Sequence, residues 1–305
     1  MRAMQAQKYG DPITLVELPV PAPAAGEVLV RVAAAGVNPV DWKAHAGHVA
    51  SWFDGGPYVW GWDVSGTVEA VGEGVTAFAA GDEVYGMPRF PDLVGGYAEY
   101  VTAPVDAIAA KPAGLDHVGA AALPLAGLTA LQALDVAGVT AGQRVLVHAA
   151  AGGVGHLAVQ VAKARGAYVV GTARAANHGF LRSIGVDEPV DYTVPGWLEA
   201  LEKVDAVLDG MNDPALVAAL KPGGIVVTLP AGLSPEMTGA AERAGVRAVG
   251  HLVFPDGPGL RALTALVDAG ALRVEIAETL ALEDVAKAHE LVATGRTRGK
   301  VVLTI

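Results

Sequence analysis

The sequence contains no cysteine. This absence excludes disulfide bonds, a cysteine nucleophile, iron–sulfur clusters and every zinc site that is built on thiolates. Charged residues are also few, at 17%, whereas apolar residues make up 52% of the 305 positions, which excludes a disordered chain and allows a sizeable core. At roughly 150 residues per domain, this length predicts two domains or one large one.

A basic surface and a membrane-spanning segment are missing as well. Acidic residues outnumber lysine and arginine by 32 to 21, a net charge of −11, so we expect neither nucleic acid nor an anionic membrane as a partner. The N-terminus has no signal-peptide core and favours a cytoplasmic protein. The longest apolar run, 118–131, contains glycine and proline and is shorter than the roughly 20 residues of a membrane span. It predicts two short buried helices broken at Pro124.

Short strands dominate the first third of the chain. Segments with alternating or apolar character are separated by Gly, Pro and Asp, which indicates an antiparallel barrel or sandwich. These segments are 28–32, 64–71, 81–85 and 98–102.

Strands and helices alternate from a helical segment at about 117–137 onward. The strand centres are continuously apolar, as a parallel sheet covered on both faces requires, so this part predicts a doubly wound α/β domain. The expected elements are strand 144–148, helix 154–165 and strands 169–171, 204–209 and 225–229. The C-terminal part of the chain follows with a helix around 283–294 and ends in a strand at 301–305.

A turn of small residues follows strand 144–148. Residues 149–155 read AAAGGVG, a variant of the dinucleotide-binding fingerprint, in which backbone amides face a pyrophosphate at a helix N-terminus. Gly152 permits close approach of phosphates, and Gly155 lets the helix pack closely. The alternative is a tight turn between packed elements with no ligand.

The residues after the next strand indicate the cofactor. An NAD site expects an acidic residue about 20 positions after the glycines, and none stands there before Asp187. Arg174 occupies the region instead, and a guanidinium suits a 2′-phosphate. We therefore predict NADP(H) rather than NAD(H), the alternative being an ordinary exposed arginine.

Several ordered motifs carry a family resemblance. They are GVNPVDWK (36–43), GWDVSGTV (61–68), GDEVYG (81–86), GGYAEY (95–100), LPLAGLTA (123–130), the turn at 149–155 and GKVVL (299–303). With these motifs the chain resembles the zinc-independent quinone oxidoreductase branch of the medium-chain dehydrogenase/reductase superfamily.

The resemblance implies an α/β protein of two domains. A GroES-like β-barrel catalytic domain would cover 1–115 and be completed by 272–305, and a Rossmann doubly wound parallel-sheet domain would cover 116–271. The cofactor would lie in the cleft between them, and a homodimer would be usual.

Zinc-dependent members of this superfamily hold their metal with cysteine, histidine and a G-H-E motif. Here the motif is Gly61-Trp62-Asp63, and an indole cannot ligate zinc. His45 and His48 have H-x-x-H spacing, but no third ligand is evident, which favours histidines at the surface or at a cleft rim. We therefore expect no metal.

Reduction of an electron-poor acceptor needs no metal. A quinone or an α,β-unsaturated carbonyl compound accepts hydride at carbon while its oxygen gains negative charge, and a few hydrogen-bond donors stabilise that charge. The sequence therefore predicts an NADPH-dependent reductase of such small molecules. The alternatives are an enoyl-thioester or alkene reductase of a biosynthetic pathway and a non-catalytic NADPH-binding sensor.

The candidate catalytic residues follow strand 28–32. The resemblance places Asn38 near the nicotinamide and the acceptor oxygen, although it could be only a turn-forming residue. Lys43 could donate to the acceptor oxygen or to a phosphate, and Asp41 lies on the same turn, the alternative being a surface ion pair of the two. Many relatives have tyrosine at or near the position of Lys43, where the enoyl-thioester reductases use it as proton donor, so its absence disfavours that activity. Tyr58 is a possible substitute.

Aromatic residues are concentrated near this segment, with six of them between 42 and 62. They suit the walls of a site for a flat acceptor, or equally a barrel core. For the cofactor, the turn contributes Ala150, Gly152, Gly153, Val154 and Gly155, and the second strand contributes Thr172 and Arg174. The resemblance adds Thr129, Tyr192, Asp209, Leu229, Pro230, Ala231, Val253, Phe254 and Lys300.

Overall fold

The computed structural model describes residues 1–53, 55–229 and 232–305. The chain forms two compact units. The first comprises Met1–Leu128, Phe254–Ala269 and Val274–Ile305, and the second comprises Thr129–Val253 and Gly270–Arg273. The domain boundaries that the sequence suggested, near 115 and 271, remain a prediction.

The described strands, in chain order, are β1 (Arg2–Ala6), β2 (Thr14–Glu17), β3 (Glu27–Val37), β4 (Tyr58–Val59), β5 (Asp63–Val71), β6 (Glu83–Gly86), β7 (Tyr100–Pro104), β8 (Ile108–Ala110), β9 (Arg144–Val147), β10 (Tyr168–Thr172), β11 (Glu188–Val190), β12 (Val204–Asp209), β13 (Leu220–Thr228), β14 (Arg247–Gly250), β15 (Ile276–Ala281) and β16 (Lys300–Thr304). The α-helices are α1 (Pro39–His45), α2 (His117–Ala121), α3 (Pro124–Ala137), α4 (Gly155–Ala164), α5 (His178–Ser183), α6 (Trp197–Ala200), α7 (Pro235–Ala244), α8 (Gly257–Asp268) and α9 (Val285–Ala293). Short 3₁₀ helices cover Ala50–Trp52, Val105–Ala107, Ala175–Asn177, Pro214–Ala219 and Leu282–Asp284.

The first unit is built mainly on antiparallel strands. Its larger sheet has the order β15-β16-β3-β5-β6-β8, with β7 also paired to β3, and a smaller sheet has the order β2-β1-β4. β3 is antiparallel to β5, β7 and β16, whereas β15 and β16 are parallel. Val301 of β16 faces Val37 of β3, so the end of the chain joins the sheet that the first third forms.

Valine side chains form the core of this sheet. Val28, Val30 and Val32 alternate along β3 and pack with Val64 and Val68 of β5. Residues two apart on a strand point to the same face, so this spacing gives one apolar surface. Full burial of each such side chain contributes about 1.5–3 kcal/mol.

The second unit contains a parallel sheet with the order β11-β10-β9-β12-β13-β14. Counted along the chain, this is the 3-2-1-4-5-6 order of a doubly wound sheet, which confirms the prediction. The order reverses between β9 and β12, and sheets of this kind bind ligands at the carboxyl ends of the strands beside that reversal. Here those ends carry His148 and Asp209.

The longest apolar run forms two helices, α2 and α3, as predicted. The carboxylate of Asp116 caps α2 by accepting the N–H of Gly119 at 2.8 Å, and Pro124 begins α3. Proline suits the first position of a helix because no intrahelical acceptor is needed there. Over the described residues, no helix is both long enough and apolar enough to cross a bilayer.

Candidate functional site

The turn of small residues joins β9 to α4. Ala149 has a positive φ of 55°, and its N–H donates to the Thr172 hydroxyl at 3.0 Å. The N–H of Ala150 donates to the Thr172 carbonyl at 2.9 Å, so β10 fixes the start of the turn. A Cβ on Gly155 would lie 2.3 Å from the Ala149 carbonyl oxygen. Only glycine therefore lets the helix begin this close to the turn.

Backbone amides at the end of the turn are available to a ligand. The N–H of Gly152 donates to Ala149, whereas the N–H groups of Gly153, Val154 and Gly155 have no acceptor within the described ranges. α4 has ten residues, and the positive end of its dipole lies at these amides. This arrangement suits a phosphate.

The two residues predicted to contact a 2′-phosphate lie side by side. Arg174 follows β10, is exposed, and donates from Nε to the Tyr192 hydroxyl at 3.3 Å. Tyr192 is 40% exposed. Thr172, in contrast, is buried, and its hydroxyl is engaged by Ala149 and by Nδ1 of His148 at 2.8 Å.

Sequence reasoning missed His148. Its ring is nearly parallel to that of Trp197, with centroids 6.4 Å apart, and meets the Tyr192 ring edge-on at 6.2 Å. Burial lowers the pKa of His148, which favours the neutral ring. Its place directly after β9, at the reversal of strand order, is the signal that could have identified it.

The remaining predicted cofactor residues of this unit differ in exposure. Asp209 is buried, and its carboxylate accepts the N–H groups of Met211 at 2.8 Å and Asp213 at 2.6 Å, which fixes the loop after β12. Burial raises the pKa of Asp209. Thr129 and Val253 are buried and Leu229 is half-buried.

Three other predicted cofactor residues are Phe254, Pro230 and Ala231. Phe254 lies in the first unit and is 55% exposed. Pro230 and Ala231 lie outside the described residues.

A buried polar cluster occupies the first unit at the start of α1. It consists of Asn38, Asp41, Asp63 and Lys300. The Asn38 amide donates from Nδ2 to Oδ2 of Asp63 at 2.8 Å, and its Oδ1 accepts a hydrogen bond from Nζ of Lys300. Nζ also donates to the Val37 carbonyl at 3.1 Å. The structure thus commits Lys300, predicted as a cofactor residue, to this cluster.

Burial dominates the protonation of these groups. It raises the pKa of Asp41 to about 7 and that of Asp63 to about 6, and it lowers the pKa of Lys300. The ammonium opposes the shifts of both carboxyl groups, and its Nζ lies 3.9 Å from Oδ2 of Asp63. Lys300 is therefore the internal cation that balances negative charge in the cluster.

Asp41 and Lys43 lie on α1 without pairing. Residues two apart on a helix do not face each other. Asp41 is buried and accepts the N–H of Asn38 at 2.5 Å, which excludes a surface ion pair. Lys43 is half-buried, its Nζ is 5.8 Å from the centroid of the Trp42 ring, and no hydrogen bond or ion pair engages it in the described part of the chain. Its ammonium donors are available.

The aromatic segment packs largely onto itself. Trp60 and Trp62 are fully buried, and Phe53 lies 5.9 and 6.2 Å from their rings. Tyr58 is buried and stacks on Tyr9 at 4.7 Å and on Trp60 at 4.8 Å. The barrel-core alternative accounts for these contacts, and a donor role of Tyr58 stays a prediction.

The position of the zinc-ligand motif is occupied by other interactions. The Trp62 indole donates to the Asp92 carbonyl at 2.8 Å, and Oδ1 of Asp63 accepts the N–H of Leu125 at 2.8 Å. His45 bonds through Nε2 to the Asp11 carbonyl at 2.8 Å. Among the residues that are described, no three acidic or histidine side chains converge to hold a metal ion.

Comparison with known families matches both parts of the chain. Residues 24–113 match the alcohol dehydrogenase GroES-like domain, and residues 184–303 match the zinc-binding dehydrogenase family.

Individual proteins match over nearly the whole length. The chloroplast envelope quinone oxidoreductase homolog of Arabidopsis thaliana is 33% identical over 323 residues, covering 99% of this chain and 98% of that protein. The chloroplastic NADPH-dependent alkenal/one oxidoreductase of the same plant is 36% identical over 288 residues, covering 91% and 72%. The structure of the quinone oxidoreductase from Coxiella burnetii is 38% identical with a TM-score of 0.93, covering 100% and 99%. The chain therefore belongs to the quinone oxidoreductase-like proteins of the medium-chain dehydrogenase/reductase superfamily, with its GroES-like and Rossmann-type domains.

Proposed function

We propose that this protein is an NADPH-dependent reductase that transfers hydride to quinones or to α,β-unsaturated carbonyl compounds without zinc. The observation that carries the proposal is the hydrogen bond between Arg174 and Tyr192. Arg174 lies two positions after Thr172, the last residue of β10, whose hydroxyl accepts the first N–H of the phosphate turn. Relatives named as quinone and NADPH-dependent alkenal/one oxidoreductases support the same activity.

The residues of the second unit fit NADP(H). The free amides of Gly153, Val154 and Gly155 would bind the pyrophosphate, and Arg174 with Tyr192 would bind the 2′-phosphate. Thr129, Thr172, Asp209, Leu229 and Val253 complete the proposed contacts. The bound cofactor supplies the hydride.

Lys43 is the residue best suited to stabilise the acceptor. The acceptor oxygen gains negative charge as hydride arrives at carbon. A hydrogen bond from a charged donor stabilises such an oxygen more strongly than a hydrogen bond from a neutral donor. Asn38 is 1% exposed, and both the oxygen and the nitrogen of its amide are already hydrogen-bonded. It therefore supports the turn, and Lys43 would donate the hydrogen bond to the acceptor oxygen. Asp41 is buried and holds the start of α1.

Zinc independence rests on the chemistry of the residues present. The chain has no thiolate, and the motif position offers an indole and a carboxylate that is already hydrogen-bonded. We also propose a homodimer and a cytoplasmic location, which light scattering and microscopy of a labelled protein test.

The test is a panel of acceptors. NADPH oxidation is followed with the purified protein and quinones, enals, enones and enoyl thioesters, and each rate is repeated with NADH. We expect turnover with quinones or enones and a preference for NADPH. Exclusive turnover of enoyl thioesters would instead favour the biosynthetic alternative. Tight NADPH binding without turnover of any acceptor would identify a sensor.

A further inference from the structure

Asp63 joins three segments of the first unit through one buried carboxylate. It begins β5 and is fully buried. Its Oδ1 accepts the N–H of Leu125 in the first turn of α3, and its Oδ2 accepts the amide of Asn38, which precedes α1. A single side chain therefore fixes where both helices begin relative to β5.

Lys300 completes this arrangement from the other end of the chain. It begins β16, is 4% exposed, and donates both to the Val37 carbonyl and to Oδ1 of Asn38. The Asn38 amide is thus held between an ammonium at its oxygen and a carboxylate at its nitrogen. Rotation of the amide by half a turn would put like charges and like dipoles together, so the two ions allow one orientation only.

The position of α1 depends on this amide. The helix has seven residues, too few to be stable without external contacts. Its start is fixed by Asn38, whose N–H is bound by Asp41, and by Pro39, whose ring restricts φ. Lys43 lies only five residues beyond Asn38, so a displaced start moves the Lys43 ammonium.

We propose that Asp63 and Lys300 are positioning residues, which clamp the Asn38 amide and thereby hold α1 so that Lys43 reaches the acceptor oxygen. This proposal rests on the proposed function for the role of Lys43. The side chains of Asp63 and Lys300 act through Asn38.

The test uses a double variant, because loss of one ion alone would leave the other buried without a partner. Lys300→Met with Asp63→Asn removes both charges, while Asn at 63 can still accept the Leu125 N–H. The matched control is Lys221→Met with Asp205→Asn, which removes another lysine–aspartate pair, with atoms 2.8 Å apart, in the second unit.

Two measurements are compared. Hydrogen–deuterium exchange of the peptide covering 38–47 is followed without cofactor or substrate, and kcat and the Kd for NADPH are then determined. We expect exchange in the double variant to be about tenfold faster and kcat to be about 100-fold lower, because a small misplacement of a reacting group costs that much, with the Kd unchanged. The control should match the wild type in both.

An exchange rate in the double variant equal to that of the wild type would overturn the proposal. Faster exchange with an unchanged kcat would also overturn it, because the pair would then hold α1 without affecting the reaction. A changed Kd for NADPH in the double variant would overturn it too, because the pair would then act on cofactor binding. Failure of the wild type to reduce any acceptor would refute the proposed function, whereas the exchange measurement would still decide whether the pair holds α1.

Discussion

We predict that His289 of α9 makes the free energy of unfolding depend on pH. The side chain is 6% exposed, and neither ring nitrogen has a hydrogen-bond partner among the described residues. Its ring lies 5.9 Å from that of His45 and 5.8 Å from that of Tyr97. Burial and then the proximity of His45 lower the pKa of His289 to about 4.

The sign and size of the effect follow from proton binding. An unfolded chain binds the proton with the ordinary histidine pKa of 6.5, above the value in the folded protein, so the unfolded state holds more protons between the two values. The stability contributed by neutral His289 is complete above about pH 6.5 and is lost as the pH falls to about 4. A difference of roughly 2.5 pKa units corresponds to about 3 kcal/mol.

The assay compares wild type with His289→Leu by urea unfolding between pH 7 and pH 4. Four of the five tryptophans, at 42, 52, 60 and 62, lie in the first unit, so intrinsic fluorescence reports mainly on the unit that contains His289. We expect the free energy of unfolding of the variant to rise relative to wild type by about 3 kcal/mol over this range. The same substitution at exposed His48 is the control. A difference in the free energy of unfolding between His289→Leu and wild type that stays constant within about 1 kcal/mol across the range would show that burial does not lower the pKa of His289.

Three further predictions concern the proposed site. Arg174→Ala should raise the Kd for NADPH about 10- to 100-fold and leave the Kd for NADH nearly unchanged, with Arg182→Ala as the control. Equal changes in the Kd of both cofactors, measured by titration, would contradict the assignment of Arg174 to the 2′-phosphate. Gly155→Ala should abolish measurable NADPH binding, because the added Cβ would clash with a backbone carbonyl. The control Gly179→Ala should bind NADPH normally, because nothing lies within 4 Å of the added Cβ. Normal binding by both variants would show that the turn does not bind the cofactor. Lys43→Gln should lower kcat about 100-fold with little change in the Kd for NADPH, and an unchanged kcat would show that another group stabilises the acceptor.

The second unit could be predicted well from the sequence because its signals are local. β9, β12 and the end of β13 have short apolar centres, and the turn before α4 shows its small residues in consecutive positions. In the first unit β3, β5, β6, β7 and β16 were located, although β3 extends to Val37, beyond the predicted 28–32. β1, β2, β4, β8 and β15 were missed, since they are short or mixed in character, and β4 has only two residues.

The buried cluster could not be predicted in the same way. Asp63 and Lys300 are separated by most of the chain, and no periodicity links a residue in the second fifth to one in the last strand. The pair Asp41 and Lys43 looked like neighbours because they are close in sequence, but the helix turns them in different directions. Only the three-dimensional pairing of β16 with β3 brings Lys300 to Asn38.

The proposed activity is hydride transfer from NADPH to an electron-poor acceptor without a metal. The most direct measurement is steady-state oxidation of NADPH with a quinone and with an enone, by protein that has been dialysed against a chelator and shown by elemental analysis to contain no zinc. We predict turnover that the chelator does not reduce. Loss of turnover on chelation, with recovery on addition of zinc, would show that the enzyme depends on zinc.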